Sequence, residues 1–330
     1  MAERDQLGVR ALQLLGEDWM ISVLGGLANG PIRPAELERG LPHAGHSVVI
    51  RRLRRLLQSK LVSLDHKSGI PPHPGSAAVP HRAYYGLTDP GRMLLEVTAG
   101  AEHWEQTWCS QLERGNPAGI LAIGLSANQR TRNIMLTLAD GPLAVTEMHA
   151  ELLPDLASST LRRRLSNLVL GGLLERQEVG RVQRYGLTSR ARDLAMVAML
   201  AGRWEWQWFR PEHTGPGSDF NDLLHILAPV ARVPGPITGI CQIHMDVHGA
   251  DDPDIYLAAQ GGKIRALPDI PSTPPEAVGH GTPEAWCDTL LKGGELVTTS
   301  GDRALLDAVI GALSAALVPK PPQTSSPTVL

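Results

Sequence analysis

Tyr85-Gly86-Leu87-Thr88 returns unchanged as Tyr185-Gly186-Leu187-Thr188 in a chain of 330 residues. Working outward, Leu27-Ala28-Asn29-Gly30-Pro31 returns as Leu138-Ala139-Asp140-Gly141-Pro142, and Glu36-Leu37 as Glu147-Met148. Ile50-Arg51-Arg52 recurs near Leu161-Arg162-Arg163, and Leu61-Val62 recurs as Leu173-Leu174. On the far side, Trp104-Glu105 and Trp108 match Trp204-Glu205 and Trp208. So many matches in one order imply an internal duplication across the first 213 residues.

Each copy reads as the same run of elements. Leu12, Leu15, Trp19, Val23 and Leu24 fall at helical spacing and predict one first helix. Asn29-Gly30-Pro31 ends it. A short helix follows from Pro34 to Arg39, then a basic helix from Ser47 to Ser59 with Ser47 placed to cap it. Leu53, Leu56 and Leu57 form its apolar stripe, flanked by Arg51, Arg52, Arg54 and Arg55. Strands are expected over residues 61–65 and 82–87, with a long Pro/Gly-rich connection from His66 to His81. In the second copy the basic helix runs from Ser158 to Leu170, and the strands flank a tight turn at Gly180. Thr88 and Thr188 then cap a last helix ending in the Trp-rich stretches 103–108 and 203–208. Helix, helix, basic helix, strand, wing, strand, helix is winged-helix order.

Bulk composition agrees with a globular chain: 42% hydrophobic, 20% charged. No run approaches the roughly 20 apolar residues of a membrane span. The first ten residues lack the apolar core of a signal peptide, so the expected compartment is the cytoplasm, with no membrane partner. Cys109, Cys241 and Cys287 lie far apart and form no CxxC motif, so reduced thiols are expected. The net charge of −3 hides a split. Residues 1–112 carry +1 and residues 113–213 carry +3, whereas residues 214–330 carry −7. The first two-thirds can therefore approach a polyanion and the last third is poorly suited to it.

Leu14-Leu15-Gly16 ahead of Trp19, Gly30-Pro31-Ile32-Arg33 ahead of Glu36-Leu37, and Leu53-Arg54 with Leu61-Val62 carry a family likeness. So does Pro80-His81-Arg82 leading into Tyr85-Gly86-Leu87-Thr88 and Gly91. In these stretches the chain resembles the HxlR family of bacterial regulators. The resemblance implies binding to double-stranded DNA as a two-fold dimer joined by the terminal helices. With two copies in one chain, it also implies a pseudo-dimer presenting two recognition helices. The family's redox-sensing Cys, just ahead of the first helix, falls near Gln6, so no thiol switch is expected there. Lys60 replaces the usual Gly after the recognition helix, and Gly172 retains it. Ser166 stands where the first copy has Arg54.

A helix in the major groove presents its N-terminal residues to base edges and its cations to phosphates. Candidate contacts are Ser47, Arg51 and Arg52 in one copy, and Ser158, Ser159, Thr160, Arg162 and Arg163 in the other. Arg54, Arg55 and Arg164 lie further along, facing phosphate or acidic neighbours. Arg82, Arg181 and Arg184 are candidates for wing phosphates. The competing reading is a solvated basic face paired with local carboxylates. The skew of the aromatics, 7 Trp against 4 Tyr and 2 Phe, has two readings of its own. Trp104 and Trp108, like Trp204 and Trp208, share a helix face. They either pack the two terminal helices together or, with Trp206, line a pocket for an apolar or aromatic small molecule.

Residues 211–218 read as a Pro/Gly-rich linker. The region 219–318 reads as a helix at 219–227, strands at 237–247, 254–259 and 263–267, and a loop at 271–275. A helix at 283–291, a short strand at 296–299 and a closing helix at 304–317 complete it. Asp254-Ile255-Tyr256-Leu257, Gly262-Lys263-Ile264, Trp286 with Leu290-Leu291, and residues 301–305 resemble the sterol-carrier-protein type 2-like domain, which implies an apolar tunnel or an interaction module. Residues 319–330 read as a disordered tail. His244, Asp246 and His248 alternate along a strand. Their spacing is that of a zinc-ligand set, but an exposed polar strand face accounts for it, and no metal is expected. No phosphate loop, GxSxG or HExxH occurs, so no cofactor is expected.

The sequence thus predicts a multidomain α+β protein. It has two winged-helix domains, 1–114 and 115–213, followed by a small sterol-carrier-like α+β domain, 219–318. The leading functional expectation is a DNA-binding regulator, with response to a small molecule included. The alternatives are a small-molecule binding or sequestration protein on the same scaffold, and an enzyme using the cleft between copies. A homodimer of the whole chain stays open.

Overall fold

A computed structural model describes residues 9–41, 43–65, 84–109, 123–124, 128–152, 157–209, 217–246, 254–267, 269–293 and 297–317. The first stretch runs α1 (Val9–Leu15), α2 (Met20–Leu27), α3 (Pro34–Gly40), α4 (His46–Gln58), β1 (Val62–Asp65), β2 (Tyr84–Leu87) and α5 (Asp89–Cys109). The expected single first helix is two helices. Trp19 adopts φ 66°, a left-handed turn that breaks the chain between α1 and α2. The apolar positions chosen for that helix still face one core: Leu12, Leu15, Val23 and Leu24 are fully buried. Ser47 does not cap α4. The helix begins one residue earlier, after Gly45, with no side-chain cap.

A second stretch follows with α6 (Gln129–Thr137), β3 (Leu143–Ala144), α7 (Val145–Leu152), α8 (Ser158–Leu170), β4 (Leu174–Val179), β5 (Val182–Leu187) and α9 (Ser189–Phe209). Gly180, at φ 67°, makes the expected tight β4–β5 turn. The repeated sequence motifs acquire matching local jobs. Glu36 Oε2 accepts from Arg33 N at 3.2 Å and Glu147 Oε2 accepts from Ala144 N at 2.6 Å, each closing the start of a short helix. Tyr85 bridges Ile32, and Tyr185 pairs with Leu143. A Cβ on Gly86 would lie 3.2 Å from Pro31, and one on Gly186 3.2 Å from Pro142, so the repeated Gly makes room for the repeated Pro. Thr88 and Thr188 cap α5 and α9, accepting from Gly91 N and Ala191 N. They also donate to Lys60 O and Gly172 O, both at 2.8 Å.

The third stretch is α10 (Gly217–Leu227), β6 (Gly239–Met245), β7 (Ile255–Gln260), β8 (Lys263–Leu267), β9 (Ala277–Gly281), α11 (Pro283–Lys292), β10 (Thr298–Gly301) and α12 (Arg303–Leu317). Five strands form one sheet in the order β10-β9-β6-β7-β8, with β6 and β9 parallel and the other pairs antiparallel. Strand β9 was not expected from the sequence. Its glycines hide it, because Gly279 lies against the Trp286 ring, where a Cβ would come within 2.6 Å.

Two apolar cores share α9. Ala191, Leu194, Val197, Ala201 and Trp204 belong to the core of the first two stretches, while Ala195 and Met199 belong to the core over the sheet. Cys241 and Cys287 are buried free thiols, and burial pushes both up to about 12. Among the described residues no helix is long and apolar enough to cross a membrane. The connection 66–83, the linker residues 210–216 and the tail 318–330 lie outside the described residues, as do the expectations placed on them.

Candidate nucleic-acid interface

Helix α4 buries Val49, Leu53 and Leu56 and turns Ser47, Arg51, Arg54 and Arg55 outward. Arg52 does not share that outer face. It is 8% exposed, donates from Nε to Asp18 O at 2.7 Å, and pairs through Nη1 with Glu17. The sequence places it among the base-facing residues, but helical geometry rotates it toward the α1–α2 turn. Arg55 leans the same way, with Nε 3.4 Å from Glu17 Oε1.

Helix α8 buries Leu161, Leu165 and Leu168 and exposes Ser158, Ser159, Arg162 and Arg163, with Thr160 half-buried. Its N-cap is Ala157, without a side-chain cap. Arg164 is drawn inward like Arg52. Its Nη1 donates to Asn128 Oδ1 at 3.2 Å, the oxygen that also caps α6. Burial lowers its pKa, and neighbouring Arg130 and Arg163 lower it further. Arg130, exposed near the start of α6, belongs to this cationic group, and sequence reasoning missed it because it sits outside the basic helix. At the wing, Arg181 is exposed at the β4–β5 turn between Val179 (57% exposed) and Val182 (48%). Arg184 turns back instead, bonding Pro142 O at 3.0 Å and Glu147 Oε1 at 2.8 Å. Arg82 lies outside the described residues.

Behind these faces α5 packs along α9. Trp104 Nε1 donates to Arg190 O at 3.0 Å, and Trp204 Nε1 donates to Pro90 O at 2.8 Å. Trp108 Nε1 donates to Asp193 Oδ2 at 3.1 Å, and Trp208 Nε1 points at Met93 Sδ, 3.3 Å away. Each helix thus sends two indoles to matching positions of the other, Arg190 and Asp193 against Pro90 and Met93. A Cβ on Gly100 would meet Leu200 at 2.5 Å, placing the helix crossing at matching positions. Such reciprocity is the signature of a two-fold contact. Trp104, Trp108, Trp204 and Trp208 thus make their polar contacts within the helix pair, and Trp206 stays half-buried without a polar contact among the described residues. A small cleft opens on the other flank of α9, with Ala191, Leu194, Ala198 and Met199 facing Phe220 and Leu223. Arg132 and Asp222 supply charge there, and no Trp lines it.

A short helix, a turn and a basic helix backed by a strand pair define a helix-turn-helix unit. Residues 14–113 match the family described as HxlR-like helix-turn-helix, and they form a domain of that type. The chain is also 29% identical over 99 residues to YvaP of Bacillus subtilis (strain 168), described as an uncharacterized HTH-type transcriptional regulator. That match covers 30% of this chain and 83% of the relative.

Proposed function

We propose that this chain is a DNA-binding transcriptional regulator carrying two winged-helix units, α1–α5 and α6–α9, joined as an intramolecular pseudo-dimer. The reciprocal Trp contacts across α5 and α9 carry the reading. A relative whose length is mostly spanned by one such unit would need a second copy to present two heads, and this chain supplies both. The outward residues proposed to meet double-stranded DNA are Ser47, Arg51 and Arg54 on α4, and Ser158, Ser159, Thr160, Arg162 and Arg163 on α8. Arg181 adds a wing contact. Arg52, Arg164 and Arg184 hold the scaffold.

A response to a small molecule belongs to the same proposal. The cleft beside α9 is built from the helix that also forms the pseudo-dimer contact, so an apolar ligand there would bias the spacing of the two heads. The C-terminal unit is read as a sterol-carrier-like domain that supplies the far wall. The protein then acts in the cytoplasm, where its DNA is.

The test is binding to genomic DNA fragments at low and moderate salt, for wild type and for Arg162→Ala/Arg163→Ala. Salt-sensitive binding that the double variant loses supports the regulator. Absence of binding to every fragment at low salt overturns it.

A further inference from the structure

The sheet of the C-terminal unit has one face packed under helices and one face half-open. Odd-numbered positions of β6, such as Ile243 and Met245, face the core, so His244 and Asp246 share the open face. The parallel register sets His244 directly beside His280 of β9. One ligand atom from each of His244, Asp246 and His280 lies within 4.8 Å of the others. We propose that these three residues form a binding site for a borderline divalent metal ion of the Zn²⁺ class.

Two features separate this cluster from a polar strand face. Asp254 Oδ1 lies 2.7 Å from His244 Nδ1. In the neutral imidazole, a proton on Nδ1 would donate to that carboxylate and leave Nε2 with its lone pair. That Nε2 faces Asp246 Oδ1 at 3.7 Å. A carboxylate behind a histidine is the common outer support of zinc ligands. Tyr256 OH donates to Asp254 Oδ2 at 3.4 Å, and Trp286 Nε1 donates to His244 O at 3.0 Å, so the ring and its backbone are both held. The second feature is His280. Its ring centroid lies 5.1 Å from that of His244 at a tilt of 59°, and its imidazole has no hydrogen-bond partner among the described residues. Sequence reading weighed His244 and Asp246 with His248, which lies outside the described residues. It missed His280 because β9 itself was hidden.

Tetrahedral zinc with bonds near 2.0–2.2 Å needs ligand atoms roughly 3.4 Å apart. The three ligand atoms, within 4.8 Å of one another, would draw together to that spacing on binding. Two imidazoles and one carboxylate favour zinc-like ions over Mg²⁺ or Ca²⁺, which take oxygen cages. The side chains of His244 and Asp246 are 38% and 53% exposed, leaving a fourth position for water or a small anionic ligand.

The experiment is titration of the metal-stripped full chain with Zn²⁺ against a chromophoric chelator, with Mg²⁺ as control and Co²⁺ absorption as a geometry probe. One Zn²⁺ per chain is expected, with tetrahedral Co²⁺ bands. Asp254→Asn should weaken binding by roughly 10- to 100-fold, and His280→Ala by more. Asp246→Asn, at an exposed position, serves as a second ligand variant that leaves the fold intact by circular dichroism. No uptake of Zn²⁺ at micromolar concentration overturns the site, as does binding that survives both ligand variants unchanged.

Discussion

Arg52 and Arg164 stand at the same place on two basic helices and meet opposite surroundings. Arg52 is neutralised by Glu17, which also draws Arg55. Among the described residues, Arg164 reaches the neutral amide of Asn128 and has Arg130 and Arg163 for neighbours. The cations around α8 therefore have no acid partner among the described residues, whereas those around α4 are partly neutralised by Glu17. The helix pair behind them differs in the opposite direction. Glu205 accepts from Ala11 N at 3.0 Å, yet Oε1 of its counterpart Glu105 is buried without a hydrogen-bond partner. The unit with the tidier charge balance at its basic helix thus has the less satisfied terminal helix. One architecture can be held by the same apolar positions while its polar positions drift apart.

The largest expected effect tests whether the two terminal helices are equivalent. Trp104→Ala and Trp204→Ala should each destabilise the chain by about 3–5 kcal/mol in urea melts, since both rings are buried against the partner helix. A large loss from one and a negligible loss from the other would break the two-fold reading. Next comes the charge contrast. Arg162→Ala/Arg163→Ala should lower DNA affinity about tenfold and flatten the salt dependence by about 1.8 log units per log unit. Arg51→Ala/Arg54→Ala should do less, because Glu17 already weakens that face. Equal losses in fluorescence-anisotropy titrations would show that the Glu17 carboxylate does not reach the interface.

Much of this fold is legible in the sequence because repeated apolar and turn residues do repeated work. Gly86 over Pro31, Thr88 at its cap and Glu36 at the start of α3 are local devices, and their counterparts recur with the same chemistry. Orientation within a basic helix is less legible. Arg51 and Arg52 look alike in a string, but Arg52 falls at helical spacing from Val49 and Leu56, on the buried stripe, where Glu17 and Asp18 across the turn receive it. The Trp helices left two readings open, and the choice rests on contacts between residues some 85–115 positions apart. Strand β9 is illegible for a third reason: Gly279 and Gly281 lack side chains because Trp286 and Val297 fill their space.

A smaller effect follows from Glu105. Burial raises its carboxyl pKa above the ordinary 4.5, with nearby Arg190 opposing and Glu102 adding to the shift. The folded chain holds this proton more tightly than the unfolded chain. Its contribution to stability is therefore full below about 4.5 and is lost as pH rises through the folded value. Glu105→Gln should remove that loss and raise stability near neutral pH by about 1 kcal/mol. Denaturation followed from about pH 4 to about pH 8 should show the gain growing with pH. A constant difference would mean that the carboxyl is not the cause. Glu205→Gln, which weakens the bond from Ala11 N, should change stability in the other direction.

The smallest effect concerns the residue after each basic helix. Lys60 and Gly172 adopt φ 58° and 68°, the left-handed region, and each offers its carbonyl to the threonine that caps the following helix. Glycine takes this conformation without a clash, whereas a side chain costs about 1–2 kcal/mol there. Part of that gain is offset by the greater freedom of glycine in the unfolded chain. Lys60→Gly should therefore stabilise the first unit by about 0.5–1 kcal/mol. At Gly172 the reverse swap to Lys should destabilise, because a Cβ there comes 3.0 Å from Arg190 Nη1 as well. Paired melting curves of the two variants compare the units at a position where backbone geometry agrees and side chain does not. A destabilised Lys60→Gly would mean that the Lys60 side chain makes a contribution larger than the strain it bears.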